Sequence, residues 1–529
     1  MQPTRVLPRL IQETQMLHPV VGPPGCGKST FLAHEAVRAI EKYSPSEVVA
    51  FSLTRTAANV IRNKAQSIPE GNAKTLHGHC YGIARSAGME IARLKDWNEH
   101  APHDLRLSDG LAGGKHGAEE DVVEAACNGT LGDRWFRLGE ALRHRRIPRD
   151  QWPTGHEEFW EPFDSWKEEN GLVDFTGMIE HAADGWSSLP GASVILGDEI
   201  QDCSPLEFAL IHQWDENAAH TVLVGDPYQA LYLWRAAAPE ELIAHGDKIR
   251  VLRKSYRVPQ AVHAKAADWI SRSPGFQPFD YSPTEVAGQV HHVDIRLRQA
   301  GMVVDLALAK AGEVMILATC AYMLNGVVAE LKSRGIPFHN PYRRHETRWN
   351  PLSPSPRGIS TAQRTATYLK PDCGWSREDI EAWTAHLAAT VFRKKAVQDG
   401  TFDSFKAAFK REEDLADAMI QDPEWLWQNV IGSKRDSYAY PARVAAKCGR
   451  SALTDKPRLI IGTVHSAKGG ECDHVILAPD LSPAAFRELN PWGEAGDPRG
   501  IWYAFYVGMT RARQTLTILL PSTSQHVEI

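Results

Sequence analysis

With 529 residues, 43% of them hydrophobic and 23% charged, the chain is too long for one core and implies roughly three or four units of ordinary domain size. It has no apolar run of membrane-spanning length and no signal-peptide core in MQPTRVLPRLIQETQ, and its eight cysteines form neither a CxxC pair nor a Cys/His cluster. No membrane partner, exported leader, disulfide framework or zinc site is therefore expected, and a cytoplasmic or nucleoid-associated setting is. The net charge of −6 weighs mildly against a nucleic-acid partner, although a basic groove can lie within an acidic exterior.

In chain order, short apolar runs rich in Val and Ile are followed at once by polar or glycine-rich residues. The first ends at VVGPPGCGKST and leads into a helical pattern, TFLAHEAVRAI; VVAFSL follows from Val48. Residues 87–170 contain no clear strand run but do contain helix-like stretches, EEDVVEAAC and DRWFRLGEALRHRR. Within the second, the run RHRRIPR from Arg143 could touch a duplex backbone, but a solvated helix face is the expected reading. SVIL from Ser193, TVLV from Thr221 and VMIL from Val314 resume the strands. HNPYRRHETRWNPLSPSPRG, with four prolines, reads as a hinge. Beyond it SREDIEAWTAHLAATV opens with Ser376 and Asp379 as a capping box and sets Ile380, Trp383, Leu387 and Val391 on one face. DPEWLWQNVIG has Asp422 as N-cap, Pro423 in the first turn and Gly432 at the end. RLIIG from Arg458, HVIL from His474 and TLTILL from Thr515 close the chain.

Fully apolar runs of this length suit strands buried on both faces of a parallel sheet, with helices between them: an α/β fold. They fall into two strand-rich lobes, each interrupted by a mostly helical insertion. The first lobe is expected over 1–86 and 171–240, with its insertion over 87–170. The second is expected over 241–341 and 456–529, with its insertion over 342–455.

In such sheets chemistry gathers beyond the carboxyl ends of the strands, and the polar motifs fall there. GPPGCGKST fits G-x-x-x-x-G-K-[ST] through Gly22, Gly27, Lys28 and Ser29, with Gly25 and Thr30 in the same loop. Glycines let backbone N–H groups curl around a phosphate, and the helix N-terminus adds its dipole. Lys28 would neutralise the outer phosphates of ATP, and the Ser29 hydroxyl would take a place on Mg²⁺. A chance glycine-rich turn is the bland alternative, opposed by the apolar stretch before it and the helix pattern after it. In SVILGDEIQD, Asp198 suits an acid that holds Mg²⁺ through water, and Glu199 one that orients and deprotonates the attacking water. GDPYQALYLWRAA from Gly225 then sets an acid, an amide, three aromatics and an arginine within eleven residues.

These motifs, with TLHGHC from Thr75, LRKSYR from Leu252, TVHSAKGGECDHV from Thr463 and YVGMTRA from Tyr506, occur in the order found in the superfamily 1 DNA helicases of the UvrD, Rep and PcrA type, which the chain resembles over almost its whole length. DFTGMIEHA from Asp174 resembles the same family's lead-in to the acidic motif. The resemblance implies two RecA-like lobes with a nucleotide cleft between them. It implies that Gln229 senses the γ-phosphate, that Gln201 links the acidic motif to it, and that Tyr256 stacks on adenine. Arg257 would reach the γ-phosphate from the second lobe, Glu471 the ribose, and Arg511 would be the arginine finger, a role that also suits an arginine at a loop edge. Trp234 would stack on a base and Arg235 couple the two sites, while His77, Thr463 and His465 would lie along single-stranded DNA. The function so implied is ATP-dependent 3′→5′ translocation on single-stranded DNA with separation of a tailed duplex, a loading partner being open. The alternative is a translocase that displaces proteins or remodels intermediates with little unwinding. The sequence departs from the family at Leu53 (Phe favoured), Thr56 (Lys), Ser255 (Asn) and Ala236 (Gly), and neither Gln12 nor Gln15 has the spacing of an adenine-reading glutamine.

Overall fold

Each of the eight apolar runs becomes a buried strand. The computed structural model describes residues 17–53, 68–108, 130–185, 189–343, 348–353, 360–369, 375–420, 422–489 and 497–529. They divide into two compact units, one of 17–286 with 497–507, the other of 287–489 with 508–529.

In the first unit the strands are β1 (Leu17–Val21), β2 (Val48–Ser52), β3 (Ala73–Thr75), β4 (Glu90–Ile91), β5 (Leu172–Val173), β6 (Val194–Asp198), β7 (His220–Gly225) and β8 (Arg250–Val251). Six of them form one parallel sheet in the order β3-β2-β6-β7-β1-β8. The register Val21↔Gly225 brings two of the motif-bearing strand ends together, and Gly22 N donates to Gly225 O at 2.8 Å. Strands β4 and β5 pair with each other where the helical insertion leaves and rejoins the lobe. The insertion has its own aromatic core of Trp97, Phe136, Trp152, Phe159, Trp160, Phe163 and Trp166. One helix of that core, Leu131–His144, is opened by a capping box of Thr130 and Asp133. The other expected helix of this region, EEDVVEAAC, lies outside the described residues.

The second unit is built on β9 (Gln289–Arg296), β10 (Val314–Ala318), β11 (Phe338–His339), β12 (Leu459–Thr463), β13 (Cys472–Leu477) and β14 (Ala512–Leu520), all parallel in the order β11-β12-β10-β13-β14-β9. Its insertion packs a separate cluster that includes Tyr368, Trp383, Phe392, Phe405, Phe409 and Tyr438. The capping box forms as expected: Asp379 N donates to Ser376 Oγ at 3.2 Å and Ser376 N to Asp379 Oδ2 at 3.0 Å. That helix stops at His386, so Leu387 and Val391 lie beyond it, although both are buried in the same cluster. Asp422 caps its helix through Glu424 N at 2.9 Å, but the helix ends at Asn429, and Gly432 opens a separate turn.

Two expectations change. Residues 241–286 pack with the first unit, because β8 extends the first sheet beside β1. Arg143 is buried rather than solvated or available to a duplex: its guanidinium meets Asp174 at 3.0 Å, Glu180 at 2.6 Å and Glu140 at 2.8 Å.

Candidate functional site

The phosphate loop runs from β1 into the helix Lys28–Lys42, with Gly25 at φ 74° and Gly27 at φ 78°. That left-handed backbone favours glycine, and at Gly25 there is a second reason: a Cβ there would lie 2.5 Å from Arg257 Cβ and 2.8 Å from the Ser255 hydroxyl. Lys28 Nζ rests on Gly22 O at 3.0 Å, closing the loop on itself. Thr30 lies exposed in the first helical turn.

Ser29 Oγ donates to Asp198 Oδ2 at 2.9 Å, joining the loop to the end of β6. Asp198 is fully enclosed, and burial, reinforced by the neighbouring charge of Glu199, raises its carboxyl to about 6. A buried carboxylate beside a serine hydroxyl at the mouth of a phosphate loop fits Mg²⁺, which takes one or two such oxygens together with substrate phosphates. No cluster of three metal-binding side chains exists among the described residues.

Glu199 itself has φ 56°, a strained conformation of the kind found at working residues. The Gln201 amide is shared. It donates to Glu199 Oε2, and its Oε1 accepts from Asp226 N at 3.0 Å. Asp226 in turn accepts from Gln229 Nε2 at 2.6 Å. Burial pushes the Asp226 carboxyl above its usual range, with Lys28 pulling it back. One chain of hydrogen bonds thus runs from the candidate base to the candidate γ-phosphate sensor.

From Gln229 the backbone enters the turn Leu233–Arg235. Leu233 is buried and holds the turn, whereas Trp234 is 40% exposed and Arg235 is exposed too. A core role for Trp234 is ruled out. His77, near the start of the helix Leu76–Ser86, lies 6.1 Å ring to ring from the exposed Phe175. Tyr256 is 73% exposed, its ring edge 4.0 Å from where a Gly27 Cβ would stand, so a free aromatic face borders the phosphate loop. Tyr256 N donates to Gly25 O at 2.8 Å, and Ser255 Oγ donates to Pro24 O at 2.7 Å.

Arg257 therefore belongs to the first unit, beside the loop, and not to the second lobe. In the second unit Glu471 is exposed and pairs with Arg513 at 3.5 Å. Arg511 is only 1% exposed, its guanidinium turned onto Gly470 O at 3.1 Å, so it does not stand at an open loop edge. Thr463 is fully buried; its hydroxyl accepts from Ser466 N at 3.2 Å and closes a turn rather than facing outward, while His465 beside it is half-buried.

Comparison with known proteins bears on these arrangements. The family model of the UvrD/REP helicase N-terminal domain matches residues 9–249, and that of the UvrD-like helicase C-terminal domain matches residues 446–523. The chain belongs to the UvrD-like helicase family. DNA helicase II of Escherichia coli (strain K12) is 25% identical over 248 residues, covering 42% of this chain and 33% of that protein. DNA helicase II of Salmonella typhimurium is 24% identical over 248 residues, again 42% and 33%. A probable DNA helicase of Mycoplasma pneumoniae is 24% identical over 282 residues, 47% and 51%. The matched region spans about a third to a half of the length of these relatives.

The two parallel sheets are thus the RecA-like lobes of a UvrD-like helicase. The N-terminal match covers the phosphate loop, the acidic motif and the Trp234 turn. The C-terminal match covers Thr463, His465, Glu471 and Arg511. Sequence reasoning passed over Phe175, whose exposure beside His77 was signalled only by its place in the DFTG motif. Ser255, noted in the sequence only as a departure from the family's Asn, holds the phosphate loop: its hydroxyl accepts from Val258 N at 3.1 Å while donating to Pro24 O.

Proposed function

We propose that this UvrD-like chain is an ATP-driven motor that moves 3′→5′ along single-stranded DNA and separates tailed duplexes. The observation that carries the reading is the continuity of residues 225–235: one end is wired through Gln201 to Glu199, and the other presents Trp234 to solvent. A change at a terminal phosphate would so reach a surface suited to base stacking, where each stacked base contributes about 1–3 kcal/mol without regard to sequence. In this reading Lys28, Ser29 and the loop glycines hold the ATP phosphates, Glu199 orients the attacking water and Tyr256 covers the base. Ser29 and Asp198 would hold Mg²⁺, which supplies neutralisation of phosphate charge when bound. Arg257 and Arg511 take the transferring phosphoryl charge, Arg511 after leaving Gly470 O, and Glu471 takes the ribose.

The test is ATP-dependent unwinding of duplexes carrying a 3′ or a 5′ single-stranded tail, with hydrolysis followed in the same samples. Unwinding from the 3′ tail alone is expected. Strong DNA-stimulated hydrolysis without strand separation would point to a protein-displacing translocase, an alternative favoured by the burial of Arg143, which removes the first cation of RHRRIPR from any duplex. Hydrolysis that ignores DNA would overturn both.

A further inference from the structure

His144 is buried at the end of the helix Leu131–His144 of the first insertion; it is the second residue of the RHRRIPR run and lies outside the nucleotide and DNA motifs discussed above. Both of its ring nitrogens are engaged. Nδ1 lies 2.9 Å from Ser204 Oγ, and Nε2 lies 3.2 Å from Thr176 Oγ1. The donors can be assigned by elimination. Thr176 spends its proton on Glu140 Oε2 at 2.7 Å, so it can only accept from His144, which places the imidazole proton on Nε2. Nδ1 is then an acceptor, and Ser204 donates to it while accepting from Glu207 N at 3.3 Å. His144 is thus a neutral, doubly bonded strut between the insertion and Ser204.

Ser204 occupies a particular place. The two residues before it clamp the segment that carries Trp234 at both ends: Asp202 Oδ1 accepts from Leu231 N at 3.3 Å, and Cys203 O accepts from Ala238 N at 2.8 Å. Ser204 also opens the helix Pro205–Asp215, whose Glu207 divides its carboxylate. Oε2 accepts from Ser204 N at 2.8 Å, and Oε1 faces His77 Nδ1 at 4.0 Å. The helix that ends in His144 packs directly on the turn Leu233–Arg235 as well. The far side of the strut is rigid, since Glu140 and Thr176 belong to the ion-paired group around Arg143 and Asp174.

We propose that His144 is a positioning residue through which the first insertion sets the placement of Trp234, Arg235 and His77, and so the grip on single-stranded DNA. The inference rests on the DNA-motor reading of those three residues. His144 touches neither nucleotide nor strand; it fixes Ser204, and Ser204 fixes the clamp and Glu207.

The test uses the full chain, oligo(dT) as probe, and the variants His144→Leu and His144→Gln. A glutamine keeps one donor and one acceptor on a side chain of similar reach; a leucine keeps neither. For each, thermal stability, basal ATPase and the oligo(dT) concentration giving half-maximal stimulation are measured. The leucine variant is expected to need at least fivefold more oligo(dT), with basal hydrolysis within twofold of the parent, and the glutamine variant to recover most of the difference. Should the leucine variant fail to fold, Thr176→Val, which removes the acceptor of Nε2–H together with the donor to Glu140 Oε2, is expected to show the same shift. An unchanged half-maximal concentration overturns the proposal, as does a proportional fall of basal and stimulated rates without a shift in that concentration. Parent protein that oligo(dT) does not stimulate at all would instead sink the DNA-motor reading on which the proposal stands.

Discussion

Asp198 and Ala236 each hold a conformation or charge that the fold pays for. At neutral pH the Asp198 carboxylate is ionised in an enclosed site that favours its protonated form, since its value stands near 6 instead of the ordinary 3.8. Replacing it by Asn keeps one acceptor, for Glu199 N, lets the amide NH2 donate to Ser29 Oγ with the hydroxyl turned to accept, and removes the charge. Asp198→Asn is expected to raise the stability of the nucleotide-free protein, on the order of 1–3 kcal/mol at pH 7.5, while abolishing hydrolysis. Calorimetry and ATPase on the same preparation check both halves, and a less stable variant would refute the assignment of strain to that charge. Ala236 has φ 62°, a region that costs an L-residue roughly 1–2 kcal/mol, partly offset against Gly by chain entropy. Ala236→Gly is expected to stabilise the protein by up to about 1 kcal/mol, read as a shift in the denaturant midpoint. The sequence already marked this position as a departure from the family's glycine; the positive φ explains the family's choice. The positions of the phosphate loop and of the acidic strand ends were legible in the same way, because both are local patterns. Arg257, Arg511 and Thr463 were not, since the unit a residue joins and the direction its side chain takes depend on partners distant in sequence.

At the scale of elements, strands buried on both faces were read correctly because their apolar runs are continuous. Strand β9, QVHHVDIR, escaped notice: at the edge of its sheet it is half exposed and mixes polar with apolar residues. Strands β3, β8 and β11, of two or three residues, carry too little pattern to be seen. Missing β8 is what misplaced residues 241–286. Helix starts were legible through capping boxes, but ends were not, because neither His386 nor Asn429 is followed by a glycine cap. The helical insertions were expected from period alone, with no hint of how tightly they pack. Gly139 shows the tightness: a Cβ there would fall 2.2 Å from the Trp160 indole. Gly139→Ala replaces a helix-disfavouring residue with the best helix former, which propensity alone would count as a gain of about 1 kcal/mol. The overlap should outweigh that gain, for a net loss of about 1–3 kcal/mol. A raised unfolding midpoint in urea would show that Trp160 moves aside freely.

Across the whole molecule, the first unit carries a pH liability. His79, His144 and His220 all lie in it, and burial is the chief reason that each imidazole is held down to about 4. A depressed imidazole value means that the folded protein favours the neutral ring. The stability this represents is complete above the unfolded value near 6.5, is lost progressively as pH falls below it, and levels off near 4. Each such histidine contributes a slope of up to about 1.4 kcal/mol per pH unit in that window. Asp198 acts in the opposite sense: with its value raised to about 6, it binds a proton more readily folded than unfolded and returns stability between about 6 and 4. His18, His245 and His263, also held down by burial, add to the loss, while Asp226 and Glu140, also raised, add to what Asp198 returns, and the net effect is a loss of stability as pH falls. His79 offers the clean check, because its Nε2 meets only Ala50 O, at 3.2 Å, a contact that a glutamine amide can keep. His79→Gln should leave stability at pH 7.5 within about 1 kcal/mol of the parent. It should also flatten the fall between pH 6.5 and 4.5 by close to one proton's slope, measured as unfolding free energy in urea across that range. If the two proteins lose stability in parallel, His79 titrates as an ordinary solvated imidazole and the acid sensitivity must be carried by the other buried histidines of the unit.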